Sequence, residues 1–154
     1  MKTIIIILII LYSFSLKAET YLCNVNANYI IYEDKIIVNG TKNNLITLNR
    51  DGDVLKNLPD SSKLIYILSE ESLTLTAIFT PRGSNKANEP KSYDLDLVVQ
   101  GSNKLGDYYK DTKIYRIKKP GHIHFQINTE TLHFVLSKTM FEGAKSEMGY
   151  CVIN

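Results

Sequence analysis

No catalytic signature runs through this sequence. It has no G-x-S-x-G, no H-E-x-x-H, no glycine-rich phosphate loop and no Cys-x-x-Cys. Local spacing therefore announces no activated serine, no catalytic zinc, no phosphate cradle and no dithiol couple. A surplus of charge is missing too. Without Lys2 and Lys17, which account for the formal +2, 16 basic side chains face 16 acidic ones. General nucleic-acid binding needs a net surplus of Lys and Arg to release counterions, and a polybasic membrane anchor needs a cluster of them, so neither is expected. Helical periodicity is absent: no stretch after residue 18 repeats apolar residues at 3.6 spacing between caps. No repeat, low-complexity segment or linker divides residues 19–154, which are read as one domain, long enough to bury a core without help from metals.

What is present begins with residues 1–18. Met1 and Lys2 form a short positive start, and Ile4 to Leu11 is an unbroken run of Ile and Leu that Tyr12 and Phe14 extend. Small and polar residues follow up to Ala18. This is the pattern of a secretory signal peptide, with cleavage expected after Ala18 or within two residues of it. The apolar stretch ends at Lys17, short of the roughly 20 residues that a membrane span needs. Thr20-Tyr21-Leu22 before Cys23 lacks the small residues of a lipoprotein signal, so no lipid anchor is expected after cleavage. The expected location is the periplasm or the extracellular medium.

Cys23 and Cys151 are the only cysteines, one near each end of the mature chain. In an oxidising compartment an even count reads as a disulfide, and two cysteines allow one pairing. Between them hairpins recur. Segments 28–32 and 35–39 flank Glu33-Asp34, and 44–49 and 53–56 flank Asp51-Gly52, a strong turn signal. Segments 63–69 and 72–80 flank Glu70-Glu71; a two-residue turn there sets Leu68 opposite Leu73, Tyr66 opposite Leu75 and Leu64 opposite Ala77. Residues 92–100 alternate with Tyr93, Leu95, Leu97 and Val99 on one side, and 113–118, 122–128, 131–138 and 148–153 complete the strands, with one helical turn expected near 141–146. The fold class is all-β: an antiparallel meander closing into a small barrel or barrel-like sandwich. A disulfide between first and last strands makes them neighbours, which favours closure.

Candidate functional residues cluster in four places. Loops 81–91 and 101–111 carry Arg82, Lys86, Tyr108 and Tyr109, exposed groups suited to contacting a partner. All three histidines fall in the hairpin 122–138. An even turn at Thr129-Glu130 places Ile127 opposite Leu132, Phe125 opposite Phe134 and Ile123 opposite Leu136, and leaves His122, His124 and His133 on the other face, with His124 and His133 diagonal. His-x-His beside a third histidine is compatible with zinc or copper. A three-residue loop at Lys119-Pro120-Gly121, however, puts Arg116 and Lys118 on the same face, which suits an anionic ligand or an acidic partner surface better than a dication. No metal site and no cofactor is expected. Asp94 and Asp96 share a strand face, where they read as outward positions or, alternatively, as acid–base carboxylates. Asp51-Gly52-Asp53 reads as turn chemistry rather than a calcium loop, and Asn39-Gly40-Thr41 fits a glycosylation sequon.

The segment from Thr131-Leu132-His133-Phe134 to Gly149-Tyr150-Cys151, with Tyr21-Leu22-Cys23 near the start, resembles the ends of small exported proteobacterial β-proteins of unassigned function. A weaker likeness is to periplasmic C-type lysozyme inhibitors, which are small disulfide-bonded β-barrels with a Y-x-C start. Their inhibitory S-G-x-x-Y segment is missing here, the nearest strings being Gly83-Ser84 and Gly101-Ser102. The expectation is a non-enzymatic binding protein for a protein partner, in an inhibitor or immunity-like role. The alternatives are a lipocalin-like carrier of a small apolar ligand and a hydrolase using Asp94 and Asp96.

Overall fold

The computed structural model describes residues 18–32, 35–40, 44–49, 54–59, 62–101, 110–119, 122–140 and 143–154. Every element in them is a strand: β1 (Thr20–Tyr32), β2 (Lys35–Gly40), β3 (Asn44–Asn49), β4 (Val54–Pro59), β5 (Lys63–Ser69), β6 (Thr74–Thr80), β7 (Lys91–Gln100), β8 (Thr112–Ile117), β9 (Ile123–Asn128), β10 (His133–Met140) and β11 (Gly143–Ile153). All pairings are antiparallel. β5 to β11 follow one another as a meander, β5 pairs with the start of β1, and β11 pairs with β1 along its length. Eight strands therefore close into a barrel. β2 pairs with the second half of β1, on the edge that β5 occupies along the first half, and β3 and β4 extend outward from β2. The expected segment 148–153 is thus the end of a longer strand. Residues 143–146 continue β11 rather than forming a helical turn, because β1 and β10 hold them from both sides.

Alternation builds the interior. Tyr21 and Cys23 on β1, Tyr66 and Leu68 on β5, Leu75, Leu95, Tyr115, Ile117, Phe125, Ile127, Phe134 and Leu136 point inward and are buried. Phe125 and Phe134 stack with centroids 5.2 Å apart, and Tyr66 meets both edge-on. Cys23 and Cys151 are direct register partners and are bonded. The Cys151 N–H donates to Leu132 on the β10 side. The cysteines therefore form a non-hydrogen-bonded pair across the β1–β11 seam, where opposing Cα atoms come closest. Their Cα atoms stand 3.8 Å apart, nearer than the usual disulfide spacing.

Two hairpins differ from their expected register, and in the same way. Leu68 faces Leu75, Tyr66 faces Ala77 and Leu64 faces Phe79. Ile127 faces Phe134, Phe125 faces Leu136 and Ile123 faces Lys138. Each turn has four residues instead of two, and each ends on a leucine in the left-handed region, Leu73 at φ 48° and Leu132 at φ 58°. Side chains before the turns stabilise them: Ser69 Oγ accepts from the Ser72 N–H, and Asn128 Oδ1 accepts from the N–H groups of Glu130 and Thr131. A slip of two residues preserves which face is buried. Core membership survives, and only Leu73 moves off it into the exposed turn. The β8–β9 register matches expectation, with Tyr115 opposite Phe125 and Arg116 opposite His124.

β7 departs from simple alternation. β6 begins opposite Asp94, so beyond Leu95, whose N–H donates to Leu73, β7 has a described partner on one edge only. A bulge between Leu97 and Val99 follows, and Leu97 and Val98 are exposed rather than core. The turns expected at Glu33-Asp34 and Asp51-Gly52 lie outside the described residues, as does Thr41 of the sequon.

Candidate functional site

The two ends of the barrel hold different polar clusters, and the wall between them carries the exposed surface. At the end where the chain enters, Glu70 in the β5–β6 turn folds under the barrel. Its Oε1 accepts from Lys113 Nζ at 2.5 Å and from the Tyr115 hydroxyl at 2.6 Å. The Tyr21 hydroxyl donates to Glu19, and the Glu70 N–H donates to the Glu19 carbonyl at 3.0 Å. Burial alone would raise the Glu70 carboxyl; the hydrogen bonds from Lys113 and Tyr115, with the lysine's charge, outweigh it and hold the group below the usual carboxylate range. Burial and the nearby carboxylates push the Tyr21 and Tyr115 phenols far above the ordinary tyrosine value.

Toward the other end, Glu147 is 1% exposed and accepts from the Tyr66 hydroxyl, while Lys145 Nζ lies against its second oxygen as an ion pair without hydrogen-bond alignment. Asn28, the register partner of Glu147, keeps a buried Oδ1 without a hydrogen-bond donor. Burial and the Glu147 charge raise the Tyr66 phenol strongly. Neither cluster was anticipated from sequence. The signal for Glu147 was parity: Lys145, Glu147, Gly149 and Cys151 alternate along β11, so a core cysteine places the glutamate inside. Between the clusters the interior is lined by the stacked rings and leucines, and an eight-stranded barrel is just wide enough for such side chains to fill.

Of the residues singled out in sequence, most lie on the outside but not together. Arg116 Nη2 and Lys118 Nζ both reach Asp96, at 3.2 and 3.8 Å. The cationic pair expected to greet an acidic partner is thus engaged by the carboxylate expected to serve acid–base chemistry. His124 lies opposite Arg116 on one side and Ser137 on the other. The register slip carries His133 four residues from Ser137, about 13 Å along the strand, so His124 and His133 are not diagonal neighbours. His133 instead packs edge-on against Tyr150, with centroids 4.1 Å apart. Among the described residues no three of His, Cys, Asp and Glu are placed to hold a metal ion. An open cleft of about 300 Å³ is lined by Ser92, Tyr93, Asp94, Lys118 and Lys119. Arg82 and Lys86 are exposed in the β6–β7 loop; Tyr108 and Tyr109 lie outside the described residues.

The outer wall has two unlike sectors. On β7 and β8 the outward side chains include Asp94, Asp96, Arg116 and Lys118. From β6 through β5, β1 and β11 to β10, the outward positions carry Thr, Ser, Asn and apolar residues, with His133 at the β10 end and Lys63 at the start of β5 as the one outward Lys, Arg, Asp or Glu described there. Leu22 faces Val152 on one side and Ile67 on the other; Tyr150, Tyr29 and Ile31 continue the surface along the seam. Of the ten large apolar residues exposed in the described chain, Leu22, Tyr29, Ile31, Tyr150, Val152 and Ile153 all belong to β1 and β11. That concentration identifies the seam as the candidate contact surface. Family models, curated proteins and solved structures contain no match to this chain.

Proposed function

We propose that this is a small exported protein that binds a protein partner through the outer face of β1 and β11, in an inhibitor or immunity-like role. The observation that carries this reading is the uncharged sector centred on the disulfide seam. Scattered exposed apolar residues are ordinary; a contiguous face with aromatic and branched side chains and no charge at its centre resembles the core of a protein interface. Tyr29 and Tyr150 supply large contact area with few rotors to immobilise, and Asn24, Asn26 and His133 supply a polar rim. The large rings and leucines that line so narrow a barrel favour this over a lumen carrier, because an apolar ligand needs a cavity on the order of hundreds of Å³. The buried disulfide is consistent with an oxidising compartment, as export requires.

The test is site-specific photocrosslinking in cells exporting the protein, with the probe at Tyr29, Tyr150 or, as a distant control, Lys86. The expected outcome is one and the same protein captured from positions 29 and 150 and lost when Leu22 and Val152 are both changed to Lys. Capture only from position 86, or a small molecule retained in native mass spectrometry with no seam crosslink, overturns the reading.

A further inference from the structure

We infer that removal of residues 1–18 creates a new ion pair at the base of the barrel, between the α-ammonium of Glu19 and the carboxylate of Glu70, so that processing itself completes the polar plug. This rests on the export reading, and specifically on cleavage after Ala18.

The geometry comes from the folded chain. Ala18 is exposed, Glu19 is partly buried, and the first described strand, β1, begins at Thr20, just after the expected cut. The backbone nitrogen of Glu19 lies 3.5 Å from Glu70 Oε2. The two oxygens of Glu70 are unequally served. Oε1 takes Lys113 and Tyr115 at 2.5 and 2.6 Å, while among the described residues Oε2 has the long contact from the Glu19 amide. A carboxylate offers about four lone-pair sites, so Oε2 has capacity for more.

Cleavage changes what stands there. Signal peptidase, with one water, hydrolyses the Ala18–Glu19 peptide bond; Ala18 leaves with a carboxylate, and Glu19 keeps an amine that takes a proton at neutral pH. A neutral amide with one donor becomes an ammonium with three donors and a positive charge, already held beside an unfilled acceptor. A charge-assisted bond replaces a marginal one. The Glu70 N–H to Glu19 carbonyl bond and the Tyr21 hydroxyl on the Glu19 side chain hold the residue in place from two further directions.

The groups facing the new charge can be named from each neighbouring element. β1 contributes Glu19 and Tyr21, the β5–β6 turn contributes Glu70, and β8 contributes Lys113 and Tyr115. Asn154, whose N–H donates to the Thr20 carbonyl, brings the end of β11 to the same corner. Among these described groups Lys113 is the like charge, and it occupies the opposite oxygen of Glu70. An α-amine near carboxylates has its folded pKa raised above the usual 7.7–8.0 or so. Its stabilisation is therefore fully present below about pH 7.7 and disappears as pH rises through the folded value.

The experiment uses the exported protein, its first residue read by intact mass. The α-amine is titrated by its acylation rate against pH, in the wild type and in a variant with one serine inserted between Ala18 and Glu19, each with and without Glu70→Gln. The expected results are an α-amine titrating at least one unit above the ordinary value in the wild type and at the ordinary value in the insertion variant. The insertion should also lower Tm by about 2–5 °C at pH 7, with little loss in the Glu70→Gln background. A first residue other than Glu19 overturns the inference through the cut site. A correct first residue with an unshifted α-amine overturns the pairing itself and leaves export standing. The wild-type titration decides the matter even if Glu70→Gln does not fold.

Discussion

The carbonyl oxygen of Asn24 lies only 1.9 Å from where a Cβ on Gly149 would stand, and Phe134 Cε1 lies 3.0 Å from the same point. This contact sits beside the bulge between Val25 and Ala27, where β1 gains a residue against β11. A glycine is needed for close backbone approach, not for an unusual φ. Gly149→Ala should therefore push apart the two strands that close the barrel. The expected cost is about 2–4 kcal/mol, read as a lower denaturation midpoint at unchanged slope.

The two left-handed leucines separate strain from packing. Leu73 is exposed in its turn, whereas Leu132 packs against the core. Leu73→Gly should be neutral or stabilise by up to about 1 kcal/mol, since the left-handed conformation costs a branched side chain about that much. Leu132→Gly relieves the same strain but gives up buried surface, and should destabilise by about 1–2 kcal/mol. Paired thermal melts of the two variants test the contrast; equal effects would contradict it.

Acid should weaken the base of the barrel through Glu70. Its folded pKa lies below the ordinary value for a glutamate, so its contribution is present above that ordinary value and is lost as pH falls through the folded one. Tm followed from pH 7 to pH 2 should drop in the wild type, with a smaller drop in Glu70→Gln. At pH 7 that substitution should itself cost about 1–3 kcal/mol, because Lys113 and Tyr115 lose a charged acceptor.

Alkali should act through the phenols. Burial is the largest cause that raises Tyr21, Tyr66 and Tyr115 above 10.0. For an acid whose folded pKa is raised, stability is complete below the unfolded value and is lost as pH climbs above it. Unfolding should set in above about pH 10, together with the ultraviolet signal of tyrosinate rather than after it. Tyr66→Phe should shift this onset upward while costing about 1–3 kcal/mol at neutral pH through the unpartnered Glu147.

Reduction should be costly. The bonded cysteines are 128 residues apart, and closing a loop of that length stabilises by about 5 kcal/mol in the chain-entropy model. Thiol labelling of the denatured, unreduced protein should find no free thiol, and a Cys23→Ser/Cys151→Ser protein should melt well below the wild type.

How much of this was legible in the sequence depends on which physical signal each feature leaves. Alternation named the core residues of β5, β8, β9 and β10, and two cysteines at opposite ends implied that the terminal strands meet. The register of the β5–β6 and β9–β10 hairpins was not legible, because Leu73 and Leu132 adopt a conformation usually taken by Gly or Asn, and nothing in Glu-Ser-Leu or Glu-Thr-Leu marks a four-residue turn. That slip also undid the expected meeting of His124 and His133. The exposure of Leu97 escaped for another reason: it depends on where β6 begins, which is a property of a neighbouring strand. Glu70 and Glu147 were overlooked because charged residues are read as outward by default, and only their lysine and tyrosine partners, distant in sequence, make the interior tolerable for them.

The position of the seam also has a consequence in time. β1 leads the described chain and β11 ends it, yet they are partners along the whole of β1. During synthesis the first strand waits for the last with an edge unfilled. Every other barrel pairing except β1 with β5 joins consecutive strands and can form as the chain lengthens. Closure alone must span the full sequence, the kind of long-range contact that slows folding and leaves a strand edge open to foreign chains. The Cys23–Cys151 bond forms at that joint, so its appearance clocks the end of folding: an oxidation time course and a barrel-closure time course should be the same curve.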